Sequence, residues 1–213
     1  MALTRLAHQL VKEHFQRASK NVAVDGTCGN GHDTEFLVRV GFKETIGFDI
    51  QSSAISNTRN RLEKAGLIKA EADNLELTNR KQNGHDPSNP RRNGFIENSV
   101  KLVHGGHERL SDHIKQDISC AMFNFGYLPN ADKMITTTAA TSVRALQSAL
   151  EKLSSDGLLS LICYPGHEHG YIETRAIKQW LTGLDSQTVS IQQHQSQKPT
   201  DTTPILYLVK LKS

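Results

Sequence analysis

No apolar run in the chain approaches the roughly 20 residues that a membrane-spanning helix needs, and the mean hydropathy of -0.47 is that of a water-soluble polypeptide. Cysteine is scarce. Cys28, Cys120 and Cys163 are the only three, and they form no CxxC pair. An odd, scattered set argues against a disulfide framework and fits a reducing compartment. Strong charge of one sign is also missing: the net charge is +3 and the pI about 8.7, which permits a polyanionic partner without demanding one. The first residues, MALTRLAHQLVKEHFQRASK, carry apolar positions at helical spacing but neither the continuous apolar core nor the small-residue cleavage site of a signal peptide. They predict an amphipathic first helix over about 3–18, in a cytoplasmic protein. There is no internal repeat. At 213 residues the chain is long enough for one domain that buries roughly 70% of its unfolded surface.

What the sequence does contain is an alternation of short, β-rich apolar runs with amphipathic stretches, the mark of a mostly parallel sheet covered by helices. The runs predict seven strands, at Val22 to Asp25, Thr45 to Asp49, Val100 to His104, Ile118 to Asn124, Leu158 to Tyr164, Val189 to His194 and Ile205 to Lys210. Helices are expected at Asp33 to Val40, Ala54 to Ala65, Ala139 to Leu153 and Glu173 to Leu184. Only the polar loop QSQKPTDTT separates the last two strands, too little for a crossover helix. They should therefore pair as an antiparallel hairpin at the end of the sheet. A polar insertion rich in Asn, Gly and Pro, at about 69–99, breaks the rhythm and is far longer than a usual connection. It reads as a surface excursion or, given Arg80, Lys81, Arg91 and Arg92, as a basic flap against a phosphate backbone.

The most informative stretch is VAVDGTCGNGHDTEFL, Val22 to Leu37, a strand that stops at an aspartate, passes through glycines and becomes helical. Such a turn lets backbone approach a ligand where a Cβ would collide, and exposed amides at the helix start add partial positive charge. A dinucleotide fingerprint, G-x-G-x-x-G, fails here: Gly29 and Gly31 supply the first two positions, but Thr34 occupies the third. Asp25 would oppose a pyrophosphate, yet could serve the ammonium of a methionine-like ligand, directly or through water. Asp49, ending the second strand in GFDIQ, can accept hydrogen bonds from a ribose diol. The combination favours S-adenosylmethionine over NAD.

A second constellation follows the fourth strand, FNFGYLPNADKMITT. Asn124, an aromatic, a glycine, Tyr127 and Pro129 partly match the D/N-P-P-Y/F loop of methyltransferases that act on amino nitrogens. There an Asn oxygen and a backbone carbonyl accept the substrate N–H groups and aim the nitrogen lone pair. A primary alkylamine is protonated near neutral pH and must shed a proton before it attacks, so His107 in VHGGHERL and His167 in CYPGHEHGYIE are weighed as proton acceptors against structural or cofactor-orienting roles. His104, His107, His167 and His169 with Glu108 and Glu168 show no metal-ligand spacing, and no metal is expected. Carbon methylation would need a cysteine where Asn124 stands. Cys28 is expected to face the cofactor as a small residue in a crowded turn, whereas Cys120 and Cys163 read as strand core. Ala145, Leu146, Ala149, Leu150 and Leu153 form the buried stripe of a helix.

Taken in order, DGTCGNGHDTEFL, GFDIQSSAI, GGHERL, FNFGYLPNADKMITTT and YPGHEHG resemble the bacterial MnmM/YtqB family over nearly the whole chain except the insertion. That resemblance implies a Rossmann-like class I methyltransferase fold, α/β with helices on both faces of the sheet. It also implies S-adenosylmethionine as cofactor, a tRNA substrate and no membrane, with a homodimer left open. The implied reaction is methylation of the primary amine of 5-aminomethyl-2-thiouridine at the tRNA wobble position, giving 5-methylaminomethyl-2-thiouridine. Carried over residue by residue, Cys28, Asn30, Asp49, Gln51 and His107 would bind the cofactor, with Asn124 and Tyr127 at the reacting end; the reading of the residues themselves adds Asp25, Gly29, Gly31 and Glu108 beside the cofactor and His167 at the reacting end. Three other readings stay open: methylation of rRNA or of a small-molecule amine, an NAD-dependent oxidoreductase, and a non-catalytic module that binds S-adenosylmethionine or RNA.

Overall fold

The computed structural model describes residues 3–69, 99–125 and 138–212. The polar insertion, apart from its ends Lys69 and Ser99, lies outside the described residues, as do Tyr127 and Pro129. Seven strands are present: β1 Val22–Asp25, β2 Glu44–Asp49, β3 Ser99–His104, β4 Ile118–Phe125, β5 Leu153–Cys163, β6 Val189–His194 and β7 Ile205–Leu211. They make one sheet in the order β3-β2-β1-β4-β5-β7-β6. Neighbours from β3 through β5 pair in parallel. β7 runs antiparallel between β5 and β6, so the expected terminal hairpin is present, with its second strand on the inside. Composition explains that placement. ILYLV in β7 is buried residue by residue, while VSIQQH in β6 exposes most of its side chains, as an edge strand can.

Helices cover both faces: α1 Leu3–His14, α2 His32–Val40, α3 Ser52–Lys64, α4 Leu110–His113, α5 Ala139–Glu151 and α6 Glu168–Thr182. Strand alternation sorts the core into two layers. Val22, Val24, Ala121, Phe123 and Phe125 point into the layer that includes Leu110, Ala145, Leu146 and Ile177, from α4, α5 and α6. Ala23, Cys120 and Met122 point to the opposite face, against Ala7, Val11 and Leu37 of α1 and α2. Asn124 shares the parity of Cys120 and Met122, so its side chain emerges on the α1/α2 side at the carboxyl end of β4. Fully burying one such Leu, Ile or Phe contributes about 1.5–3 kcal/mol, which makes these two layers the main stabilising feature.

Several element limits differ from the sequence expectation, and one short element is new. α1 ends at His14 rather than Ala18, and β5 begins at Leu153, where a helix end was expected. The early start of β5 follows from the Ile118 amide donating to the Lys152 carbonyl at 2.7 Å, with an irregularity in the β4 pairing absorbing the polar residues that follow. α6 starts at Glu168 rather than Glu173 because the His167 ring nitrogen Nδ1 accepts the Gly170 amide at 3.0 Å and caps the helix. A 3-10 turn over His107–Arg109 leading into α4 was not expected, being too short for any periodicity to register.

The strand order reverses between β1 and β4, so the carboxyl ends of those strands flank the crevice where open α/β sheets bind ligands.

Candidate active site

The glycine-rich turn ties three strand ends together. The Gly26 amide donates to the Met122 carbonyl of β4 at 2.8 Å, and the Cys28 amide to the Phe48 carbonyl of β2 at 3.0 Å. The Gly29 amide donates to Asp49 Oδ2 at 3.0 Å, while Asp49 Oδ1 accepts the Gln51 amide at 2.9 Å. Two of these glycines are sterically required. A Cβ on Gly26 would lie 2.1 Å from the Phe123 ring, and one on Gly31, which sits at φ +78°, would lie 2.8 Å from Thr58 Cα. Gly31 occupies the N-cap of α2 without any side-chain cap, and the helix begins directly behind the turn.

Asp25 lies beneath the turn and is fully buried. Its carboxylate accepts the Thr27 amide at 3.1 Å and the Thr34 hydroxyl at 2.6 Å. Burial, then the neighbouring Asp33 charge, pushes its pKa up to about 7. Cys28 packs its thiol inward, with Sγ where a Gly47 Cβ would stand and 3.7 Å from Thr34 Oγ1. Burial raises that thiol well above the ordinary cysteine range, so it is held protonated. The Asn30 side chain turns to Asn57 Nδ2 at 3.2 Å, and the Asn30 carbonyl accepts from Arg61 Nε at 2.6 Å, anchoring the turn to α3.

His107 is buried, with Nδ1 2.9 Å from the Gly26 carbonyl and its ring edge-on to Phe123 and Phe125. A carbonyl can only accept, so Nδ1 carries the hydrogen and Nε2 is a buried acceptor without a partner. Burial lowers the ring's pKa and keeps it neutral. Glu108 folds its carboxylate back over Gly106. His167 sits apart from this cluster in the turn after β5, where its Nδ1 is committed to capping α6.

At the other lip of the crevice, the Asn124 amide N–H donates to Thr27 Oγ1 at 2.7 Å, so the glycine turn and the β4 exit are one hydrogen-bonded unit. The Asn124 side chain donates through Nδ2 to Asp33 Oδ2, and its Oδ1 is buried with no partner. Asp33 in turn holds His8 Nε2 at 2.6 Å. Buried polar atoms are nearly always satisfied. This unpaired acceptor stands at the carboxyl edge of the parallel sheet, beside the glycine turn.

The chain matches the model of the family described as "Putative rRNA methylase" over residues 45–210. The chain belongs to that family. A tRNA (mnm(5)s(2)U34)-methyltransferase, chloroplastic, of Arabidopsis thaliana is 27% identical over 190 residues, 85% of this chain; the chain spans only 59% of that protein's length. Among solved structures, a "putative rRNA-methylase" from Clostridium thermocellum superposes with a TM-score of 0.78 at 27% identity, covering 98% of this chain and 97% of that one. A "putative methyltransferase" from Streptococcus mutans in complex with SAH superposes with a TM-score of 0.73 at 26% identity, covering 96% and 97%. The fold of this chain is thus the Rossmann-like class I methyltransferase type that its motifs implied.

Of the residues singled out in the sequence, Asp25, Cys28, Gly29, Gly31, Asp49, Gln51, His107 and Asn124 are tied by hydrogen bonds or packing to the ends of β1, β2 and β4. Asn30 faces α3 and His167 caps α6. Reasoning from sequence missed Asp33, Thr27 and His8. Asp33 and Thr27 lie inside the quoted motif and could have been weighed as polar residues flanking a ligand turn. His8 carries no signal in its own neighbourhood, because only the packing of α1 brings it to the site. Among the described residues, no group of three or more His, Cys, Asp or Glu side chains is placed to hold a metal ion, and no helix is long and apolar enough to cross a membrane.

Proposed function

We propose that this methyltransferase uses S-adenosylmethionine to methylate the primary amine of 5-aminomethyl-2-thiouridine at the tRNA wobble position, forming 5-methylaminomethyl-2-thiouridine. The observation that carries the reading is the open Oδ1 of Asn124, with its amide nitrogen already committed to Asp33. Only an acceptor is on offer there, which suits a substrate N–H and not a substrate carbonyl or phosphate.

The residues present fit the cofactor. A carboxylate offers about four acceptor positions; Asp49 uses two on Gly29 and Gln51, which leaves lone pairs for a ribose diol. Asp25, at the end of β1, is fully buried and engaged by Thr27 and Thr34, so it braces the turn and would reach an ammonium group only through water, and His107 with Glu108 closes the side after β3. When bound, S-adenosylmethionine would supply an electrophilic methyl to the neutral amine: the substrate ammonium first gives a proton to water, its freed lone pair would then form the N–C bond as the C–S pair returns to sulfur, and the product would be an alkylammonium. Asn124 Oδ1 accepts an amine N–H and so points the lone pair along the line of attack. Thr27, by accepting the Asn124 amide N–H, sets the height of that residue against the glycine turn. The Arabidopsis relative, whose name states the mnm(5)s(2)U34 product, supports the choice of tRNA amine.

The deciding experiment incubates the protein with methyl-labelled S-adenosylmethionine and tRNA that carries or lacks the aminomethyl group, followed by digestion to nucleosides. Label recovered as 5-methylaminomethyl-2-thiouridine, only from the amine-bearing tRNA, is the expected result. Label appearing regardless of the amine, or only in an rRNA control, replaces this reading with a different acceptor.

A further inference from the structure

We propose that His8 and Asp33 are positioning residues of the acceptor site: His8 on α1 fixes Asp33 at the start of α2, and Asp33 turns the Asn124 carboxamide so that its Oδ1 faces the substrate. The proposal rests on the reading in which Asn124 receives an amine N–H.

A primary carboxamide has two faces of opposite polarity that differ little in shape, and a half-turn about its last torsion exchanges oxygen for nitrogen. At an acceptor site that exchange would be disabling, since an NH2 group aimed at the amine offers donors where an acceptor is required. An ionised carboxylate only accepts. With Asp33 Oδ2 against the Asn124 side chain, the nitrogen must face the carboxylate, which leaves the oxygen as the unpaired acceptor. Asp33 is itself buried, with 5% of its side chain exposed. Its other oxygen, Oδ1, is held by His8 Nε2 at 2.6 Å, so the carboxylate plane is set from two directions. The His8 ring cannot swing freely, because it lies stacked on Phe36 with centroids 3.9 Å apart and planes within 2°. Asp33 and Phe36 are three residues apart on α2 and share one face, so a single helix both receives the imidazole hydrogen bond and supplies the surface that orients it.

The arrangement is polar and partly buried, beside a layer that includes Ala7, Val11, Leu37 and Met122. A packing role alone would be served better by apolar side chains, because the polar chain ends in an acceptor that the protein leaves unsatisfied.

The test uses full-length protein with three substitutions: His8→Phe, which keeps a ring to stack on Phe36, His8→Gln, which keeps a donor, and Asp33→Ala. Thermal midpoint, S-adenosylmethionine Kd, and kcat and KM on amine-bearing tRNA are measured for each. The Asn124 side-chain amide is followed by 15N NMR, its signal identified by loss in Asn124→Ala. His8→Phe is expected to leave Kd and tRNA KM within about twofold and lower kcat about tenfold, with partial recovery in His8→Gln, and Asp33→Ala to lower kcat about a hundredfold. The Asn124 amide signal should shift in His8→Phe and in Asp33→Ala. A wild-type kcat in folded His8→Phe, or an unmoved Asn124 signal, overturns the proposal. Should the wild-type protein leave that tRNA unmethylated, the substrate reading falls, while the Asn124 signal still decides whether His8 and Asp33 orient the amide.

Discussion

Asp49 clasps Gly29: the carboxylate ending β2 accepts the Gly29 amide at 3.0 Å with one oxygen and the Gln51 amide at 2.9 Å with the other. The acid read from the sequence as a ribose acceptor therefore also shapes the turn it faces.

Replacing it should have two consequences at once. Asp49→Ala is expected to weaken S-adenosylmethionine binding by about 1–3 kcal/mol through lost charge-assisted hydrogen bonds and to lower the thermal midpoint by freeing Gly29. Asp49→Asn should retain one backbone acceptor and fall between. Calorimetric titration beside a melting curve checks both, and an alanine variant with unaltered cofactor affinity would remove Asp49 from the site.

Asn124→Ala should behave differently. If its side chain holds the methyl acceptor, as proposed, turnover drops by about a hundredfold with little change in cofactor affinity. Full turnover by this variant in single-turnover methyl transfer would leave the open Oδ1 without a catalytic role.

The buried acid under the turn predicts a pH effect on stability. Asp25 has its pKa raised from the usual carboxylate range to about 7, first by burial and then by the charge of Asp33, with Asp49 adding to it and Thr34 and Thr27 opposing it. The folded protein thus holds a proton that the unfolded chain releases. Stability from this group is complete at acid pH, declines as pH rises past the ordinary carboxylate pKa, and is lost above about 7, a change on the order of a few kcal/mol. Denaturant midpoints measured at about pH 5.5 and 8 should show that decline. Asp25→Asn, whose amide can accept from Thr27 and donate to Thr34, should flatten it. An equally steep decline in the variant would place its origin in another group.

Gly26→Ala is expected to be severe. Its methyl would stand 2.1 Å from the Phe123 ring, so β1 and β4 must spread or the ring must leave its rotamer, at a cost of about 1–3 kcal/mol or more. Pairing it with Phe123→Leu should recover part of the thermal midpoint if the clash is the cause, and identical losses in single and double variants would exclude it.

Much of this architecture was legible in the residues. VAVD and VSIQQH gave strand limits that match the structure, because a hard stop at a turn or a polar edge marks each. β5 was harder: SSDG after Leu153 looks like a loop, and only pairing with β4 draws it into the sheet. The start of α6 is not legible in the sequence because its first turn, EHGY, has no apolar stripe and depends on the His167 cap. At the site, the glycines, Asp49 and Asn124 were visible because local chain geometry fixes them. The Asn124 environment was not, since Asp33 is reached only through strand alternation that points Asn124 toward α2, and His8 only through the docking of α1.

Thr27, Gly29, Gly31 and Asp33 fall within seven consecutive residues, and through them one short peptide touches β4, β2, α3 and α1. A genetic screen that scored cofactor retention and methyl transfer separately is expected to find both defects clustering on this heptapeptide, because a change at any of its positions loosens several elements at once.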